Sequence, residues 1–196
     1  MIYDITQPLF ECKCFPGDSR PEKFEVCKIE NGDAYNLTSF TMCAHNGTHV
    51  DAPYHFYQDG KTIDEVSLDR FVGLAYVEKH DGDVTEADAI DILERARTID
   101  SEAAKRILLG GKATVTLEAA KVFAEAGTYL LGNESQTVGP EDSPRAVHLV
   151  LLAAEVVLLE GIRLEKVPDG VYLLNCAPIN LTGADGGPCR ATLIEK

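Results

Sequence analysis

The amino-acid sequence predicts a single α/β domain with a substantial share of antiparallel or mixed sheet. Strand-like and helix-like stretches alternate through much of the chain. The first forty or so residues contain no good helix, so part of the sheet has to pair without helical crossovers. No linker, internal repeat or low-complexity tract divides the 196 residues, and 45% hydrophobic content is enough for one core without disulfides. One domain is therefore expected over residues 1–196.

The elements follow in order. Asn36–Cys43 is a β-rich run, and Leu74–Lys79 reads as a second strand. Thr85 is a fitting N-cap for a helix through about Arg97, with Ala87, Ile90, Ile92 and Leu93 as its apolar members. Arg106–Gly110 is a short buried strand closed by Gly110-Gly111. Thr116 caps a second helix with Ala120, Val122, Phe123 and Ala126 on its apolar side, and Gly127 stops it. Tyr129–Gly132 is a strand and Asn133–Pro140 a loop. Ser143-Pro144 opens a third helix, proline suiting the first helical position. Val156–Leu159, Val171–Asn175 and Arg190–Ile194 complete the strands.

Charge and cysteine usage remove several function classes. With 32 acidic against 18 basic residues, a formal charge of −14 repels phosphate backbones and excludes nucleic acid as a partner. The longest apolar stretch, near Leu149–Leu159, is broken by Glu155, so no membrane span is expected. The start Met1-Ile-Tyr-Asp-Ile-Thr lacks the basic and then apolar regions of a signal peptide, which points to a cytoplasmic protein with reduced thiols. The six cysteines contain no CxxC pair, and Cys12-Lys-Cys14 is read as strand residues.

Chemistry concentrates in His45-Asn-Gly-Thr-His49-Val-Asp51-Ala-Pro-Tyr-His55. In an extended chain His49 and Asp51 share a face and lie roughly 6.6 Å apart, suited to one ion. His45 would then be roughly 13 Å from His49, so the chain has to bend, and Asn46-Gly47 is where a bend costs least. Pro53 restrains Ala52 to extended geometry and stiffens the exit toward His55. Imidazole and carboxylate together are the ligand mix of zinc, and suit manganese or iron as well. Farther on, His148 lies on the third helix and Glu160 ends the following strand. A helical descent of roughly 10 Å and a strand return of roughly 13 Å bring the two to the same end of one α-turn-β unit.

These residues resemble the cyclase-type metal-dependent hydrolases, which include bacterial kynurenine formamidases and isatin hydrolases. The pattern His-x-Gly-Thr-His-x-Asp-x-Pro-x-His is matched in full from His45 to His55, and His148 and Glu160 match the later pair in type and spacing. Weaker similarity covers Phe15–Asp18, Gly60–Glu65 and Gly183–Pro188. The resemblance implies a compact α/β/β fold of the swivelling, cyclase-like kind and a site for two metal ions, zinc or manganese. It implies that His45, His49 and Asp51 hold one ion, and that Asp51 bridges to a second held by His148 and Glu160. His55 is then the acid–base group. Homodimers or higher homo-oligomers with sites near subunit contacts are implied too.

The implied activity is hydrolysis of a small amide, most like an arylformamidase that turns N-formylkynurenine into kynurenine and formate in tryptophan catabolism. A cyclic amide, lactone or polyketide-like compound is the alternative substrate on the same metals. Metal binding without catalysis, and a thiol enzyme using Cys43 or Cys176, are rival classes. His55, not needed as a ligand, argues against the first; the lack of a local Cys-His signature argues against the second. Kynurenine formamidases typically carry Thr-Gly-Trp where this chain has Leu108-Leu-Gly110-Gly111-Lys112, and there is no tryptophan here. Aromatic contacts to an aryl substrate would come from Phe10, Phe15, Tyr35, Tyr54 or Phe56.

Overall fold

The apolar stretches pair into strands in the computed structural model, which describes residues 1–195. The strands are β1 (Ile2–Asp4), β2 (Glu22–Cys27), β3 (Leu37–Thr41), β4 (His49–Asp51), β5 (Val72–Lys79), β6 (Gly82–Val84), β7 (Arg106–Gly110), β8 (Ala113–Val115), β9 (Leu130–Asn133), β10 (Val157–Glu160), β11 (Gly170–Asn175), β12 (Gly186–Pro188) and β13 (Thr192–Ile194). Nine of them form one curled mixed sheet in the order β1-β13-β11-β5-β7-β9-β10-β4-β12. Its centre, β5-β7-β9-β10, is parallel, and its flanks are antiparallel. Helices α1 (Glu86–Ile99), α2 (Leu117–Glu125) and α3 (Arg145–Ala153) connect successive central strands, as parallel pairing requires.

Period-two alternation gives the sheet two apolar faces. Ile107, Leu109, Leu131 and Leu158 pack under the helices with Ile92, Phe123 and Leu151. Their neighbours Leu108, Leu130, Val157 and Leu159 face a second core, closed by Ile5, Val50, Phe71 and Leu193 as the sheet curls over. That arrangement, helices on one face and the curled sheet on the other, is the α/β fold expected. No helix among the described residues is long and apolar enough to cross a membrane.

The caps of α1 and α2 form as read from sequence, whereas Pro144 stands at the N-cap of α3, one position before its first helical residue, with no side-chain cap bond. Thr85 accepts from the Asp88 amide while Asp88 accepts from the Thr85 amide, a complete capping box. Thr116 accepts from the Ala119 amide, and Gly127 takes a φ of +73° just past α2. Three further details differ. In α1 the buried face is Ala89, Ile92, Leu93 and Ala96, while Ala87 and Ile90 face solvent; two alanines let this helix lie close to its neighbours, and the isoleucine is turned outward. Ala126 is exposed at the end of α2. Cys12 and Cys14 lie in an irregular segment after the turn Leu9–Glu11, not in a strand.

Phe123 is fully buried in the helix-side core. Replacing it with alanine should cost roughly 3–5 kcal/mol through lost transfer energy and the cavity left behind. Urea denaturation of the two proteins measures the difference.

Candidate metal centre

Strand β4 lies between β10 and β12, and its register builds the site. His49 and Asp51 share one face, Glu160 stands directly across from His49, and Leu158 across from Asp51. Because Leu158 belongs to the helix-side core, that face looks toward α3, which presents His148. His148 Nε2 lies 3.2 Å from Glu160 Oε1 and 3.6 Å from Asp51 Oδ2. His49 Nε2 lies 3.4 Å from Asp51 Oδ1 and 3.5 Å from Glu160 Oε2. His45 reaches back with Nδ1 at 2.8 Å from Asp51 Oδ1. The bend this needs falls where expected. Gly47 has a φ of +69°, and the Asn46 side chain accepts from the Cys43 amide to turn the chain. Pro53 opens a short 3₁₀ turn, Pro53–His55, that lifts His55 to the rim.

Thus all six residues read from the sequence are brought together. His49, Asp51, His148 and Glu160 are buried, while His45 and His55 are partly open to solvent. In two groupings, one donor atom from each residue lies within 4.8 Å of those of the others: His49, Asp51 and Glu160, and His45, Asp51 and His55.

Backbone carbonyls orient two of the rings. His49 Nδ1 lies 3.1 Å from Gly47 O, and His148 Nδ1 lies 3.0 Å from Pro144 O. In each case the Nδ1–H donates outward and Nε2 is left for the cluster. The Gly47 carbonyl is itself held, since Gln136 Nε2 donates to it at 2.9 Å and Gln7 Nε2 donates to Gln136 Oε1 at 2.6 Å. Gln7 Nε2 also donates to Gly161 O, as does Thr48 Oγ1. Gly161 admits this crowding because a Cβ there would sit 2.4 Å from Gly47 O.

The electrostatics suit a cation. Among the described residues the ion-pair partners of Asp51 and Glu160 are histidines alone, with no lysine or arginine. Burial disfavours a charged ring, yet Asp185 and Asp51 hold His45 up to about 11. Against the same opposition, Asp51 and Glu160 hold His49 up to about 9 and His148 up to about 10. Burial also opposes ionisation of Asp51, and His148, His45 and His49 overcome it to bring its carboxyl well below the usual range. Buried carboxylates need positive charge beside them. Protons on the rings supply it here, and a divalent ion fits the same nitrogen and oxygen donors.

A cavity of about 180 Å³ opens over the cluster, lined also by Phe15, Asp18, Gln136, Thr137 and Pro144. Of the aromatic residues considered, Phe15 lines it, and Phe56 stacks 4.7 Å from the His55 ring and 5.0 Å from His148. Tyr54 lies outside, by a shallow hollow shared with His55. Phe10 instead packs on Phe40, and Tyr35 is exposed. Sequence reasoning did not single out Asp185, whose Oδ2 lies 2.8 Å from His45 Nε2 and 3.0 Å from His55 Nδ1. Its signal was the glycine-rich stretch Gly183–Pro188 around it. Those rings, His45 first, bring the Asp185 carboxyl well below its usual range.

The chain is similar to known proteins over most of its length. Residues 3–140 match the family described as "Putative cyclase". The kynurenine formamidase of Bacillus cytotoxicus is 35% identical, covering 97% of this chain and 95% of that protein. The kynurenine formamidase of Bacillus mycoides is 34% identical with the same shares covered. In structure, isatin hydrolase A from Labrenzia aggregata, solved with benzyl benzoate bound, superposes with a TM-score of 0.82 at 20% identity, covering 100% of this chain and 94% of that one. With the family match spanning most of its length and relatives above 30% identity aligned end to end, the chain belongs to the cyclase family of metal-dependent hydrolases that includes the kynurenine formamidases.

Proposed function

We propose that the chain is an arylformamidase-like amidohydrolase that releases formate from an N-formyl aromatic amine such as N-formylkynurenine. The observation that carries this is the convergence of five donor residues, His45, His49, Asp51, His148 and Glu160, under a small cavity with His55 at its rim. In this reading those five hold two divalent ions, zinc or manganese, with Asp51 shared. Ions bound there supply a nucleophilic oxygen at neutral pH and Lewis-acid polarisation of a carbonyl.

The protein's own groups do the rest. The cavity, about 180 Å³, is close to the size of an apolar cavity that holds benzene, so it is large enough for one aromatic ring. Phe15 offers an apolar contact in the cavity, and Phe56 packs behind the His55 and His148 rings. Thr137 lines the cavity, and its buried hydroxyl has no partner among the described residues. With Nδ1 engaged by Asp185, His55 has Nε2 free to give a proton to the departing amine. Amide cleavage stalls without that proton, because an anilide anion is a poor leaving group.

A homodimer in the cytoplasm belongs to the same reading. The β2–β3 ribbon exposes Phe24, Val26, Leu37 and Phe40, each at 44–56%. A two-stranded ribbon with both faces in water is marginal alone and invites a partner. Sedimentation equilibrium counts the copies.

The test of function is direct. Purified protein loaded with zinc or manganese is assayed against N-formylkynurenine, isatin and simple lactones. Turnover of the formamide at a kcat/KM at least about 10⁴ M⁻¹s⁻¹ supports the reading. A preference for isatin or a lactone would replace it with the cyclic-substrate alternative.

A further inference from the structure

The carboxylate of Asp185 has no place in the ligand set, yet one of its oxygens touches two of the six site histidines and acids. Oδ2 lies 2.8 Å from His45 Nε2 and 3.0 Å from His55 Nδ1. The two rings lie 4.1 Å apart and 34° from parallel, side by side above that oxygen. An ionised carboxylate accepts and does not donate, so both ring nitrogens facing it carry hydrogen. His55 is thereby left with Nε2 as its open nitrogen. His45 presents Nδ1 toward Asp51, the reverse of His49 and His148, whose Nδ1 atoms face backbone carbonyls.

The backbone holds this carboxylate with care. Ala52 N donates to Asp185 O at 2.9 Å, Ile63 N to Ala184 O at 2.9 Å, and Gly183 N to Asp64 Oδ1 at 2.9 Å. Three segments separate in sequence are thus latched around one side chain. Gly186 completes the arrangement: a Cβ there would stand 2.8 Å from His45 Cε1, so the next residue must be glycine for the ring to reach Asp185. Gly60 serves the same end, since a Cβ would sit 2.6 Å from the Pro53 carbonyl carbon in the turn that carries His55.

We propose that Asp185 is a positioning residue that fixes the tautomer and mutual orientation of His45 and His55, coupling the metal-holding cluster to the acid–base group. This rests on the roles given above to His45 and His55. Carboxylates behind site histidines commonly fix ring orientation, and their loss costs 10–100-fold. The side-chain bonds of Asp185 are separate from its backbone bond to Ala52, so its replacement leaves the β4–β12 pairing in place.

Asp185→Ala and Asp185→Asn are compared with the parent protein, all at saturating zinc, by metal content, by steady-state kinetics on N-formylkynurenine, and by ¹⁵N-imidazole NMR. Metal content should stay at the parental level in both variants. In Asp185→Ala, kcat should fall about 10–100-fold with KM within about threefold. Asp185→Asn, which still offers one acceptor oxygen, should recover part of the loss. The His55 spectrum should show the Nδ1–H tautomer in the parent and a mixture of tautomers in Asp185→Ala. An unchanged kcat, a change confined to KM, loss of metal from either variant, or an unaltered His55 spectrum would each overturn the proposal. Were the parent inactive on the formamide, the arylformamidase reading would fail, and the NMR comparison would still decide the role of Asp185.

Discussion

Asp51→Ala should lose its metal and its hydrolytic activity together. Asp51 is 1% exposed, stands on the central strand of the site, and faces His45, His49 and His148 at once. No other residue of the cluster meets all three rings. Its removal deletes a donor from both groupings of close donor atoms, since Asp51 belongs to each. Turnover should fall by at least about 10⁴-fold, equivalent to roughly 5.5 kcal/mol of barrier. Breaking a buried ion cluster from one side also costs stability, roughly 3–5 kcal/mol where a charge is left uncompensated. Asp51→Asn, similar in shape and neutral, separates loss of metal from loss of fold. Elemental analysis and turnover on one folded preparation make the check, and full metal occupancy with full activity in either variant would falsify the site assignment.

His55→Ala should behave differently. A general acid–base group contributes about 10²–10⁴-fold to rate, or roughly 3–5 kcal/mol, without holding the ion. The expected result is therefore parental metal content with turnover reduced by that factor. The structure sharpens the contrast. His55 sits at the rim, its ring side by side with His45, and its donor atom is close enough to those of His45 and Asp51 to complete a three-residue cluster. If metal leaves with the imidazole, His55 is a ligand and the proton must come from elsewhere.

Much of the site was legible because its chemistry is local. Six odd-numbered positions between 45 and 55 cover a bend, a strand and a turn, and Gly47 and Pro53 mark where each begins. Helix starts were legible for the same reason, Thr85 and Thr116 carrying their own capping groups. His148 and Glu160 were reachable through simple lengths of helix and strand. Asp185 was not, because an aspartate among glycines usually marks a turn, and its partners lie 140 and 130 positions away. Gln7 and Gln136 were hidden likewise, being ordinary amides until the fold brings both to the Gly47 carbonyl. On α1 half of the expected face held, Ile92 and Leu93 being buried, while packing used the small Ala89 and Ala96 in place of Ala87 and Ile90.

The position of β4 between β10 and β12 also fixes when the site comes into being. Its flanking strands lie more than a hundred residues downstream, so a chain emerging from the ribosome makes His45, His49 and Asp51 early and their partners late. Long-range pairings of this kind are slow, because the closure entropy of the intervening chain must be met before any contact rewards it. The first histidines therefore spend their early life without Glu160 or Asp185, as a loose and weak chelator. Tight capture of an ion waits for β10 to bring Glu160 across from His49, which makes metal loading a reporter of long-range pairing and a chain stalled before β10 a poor competitor for scarce metal.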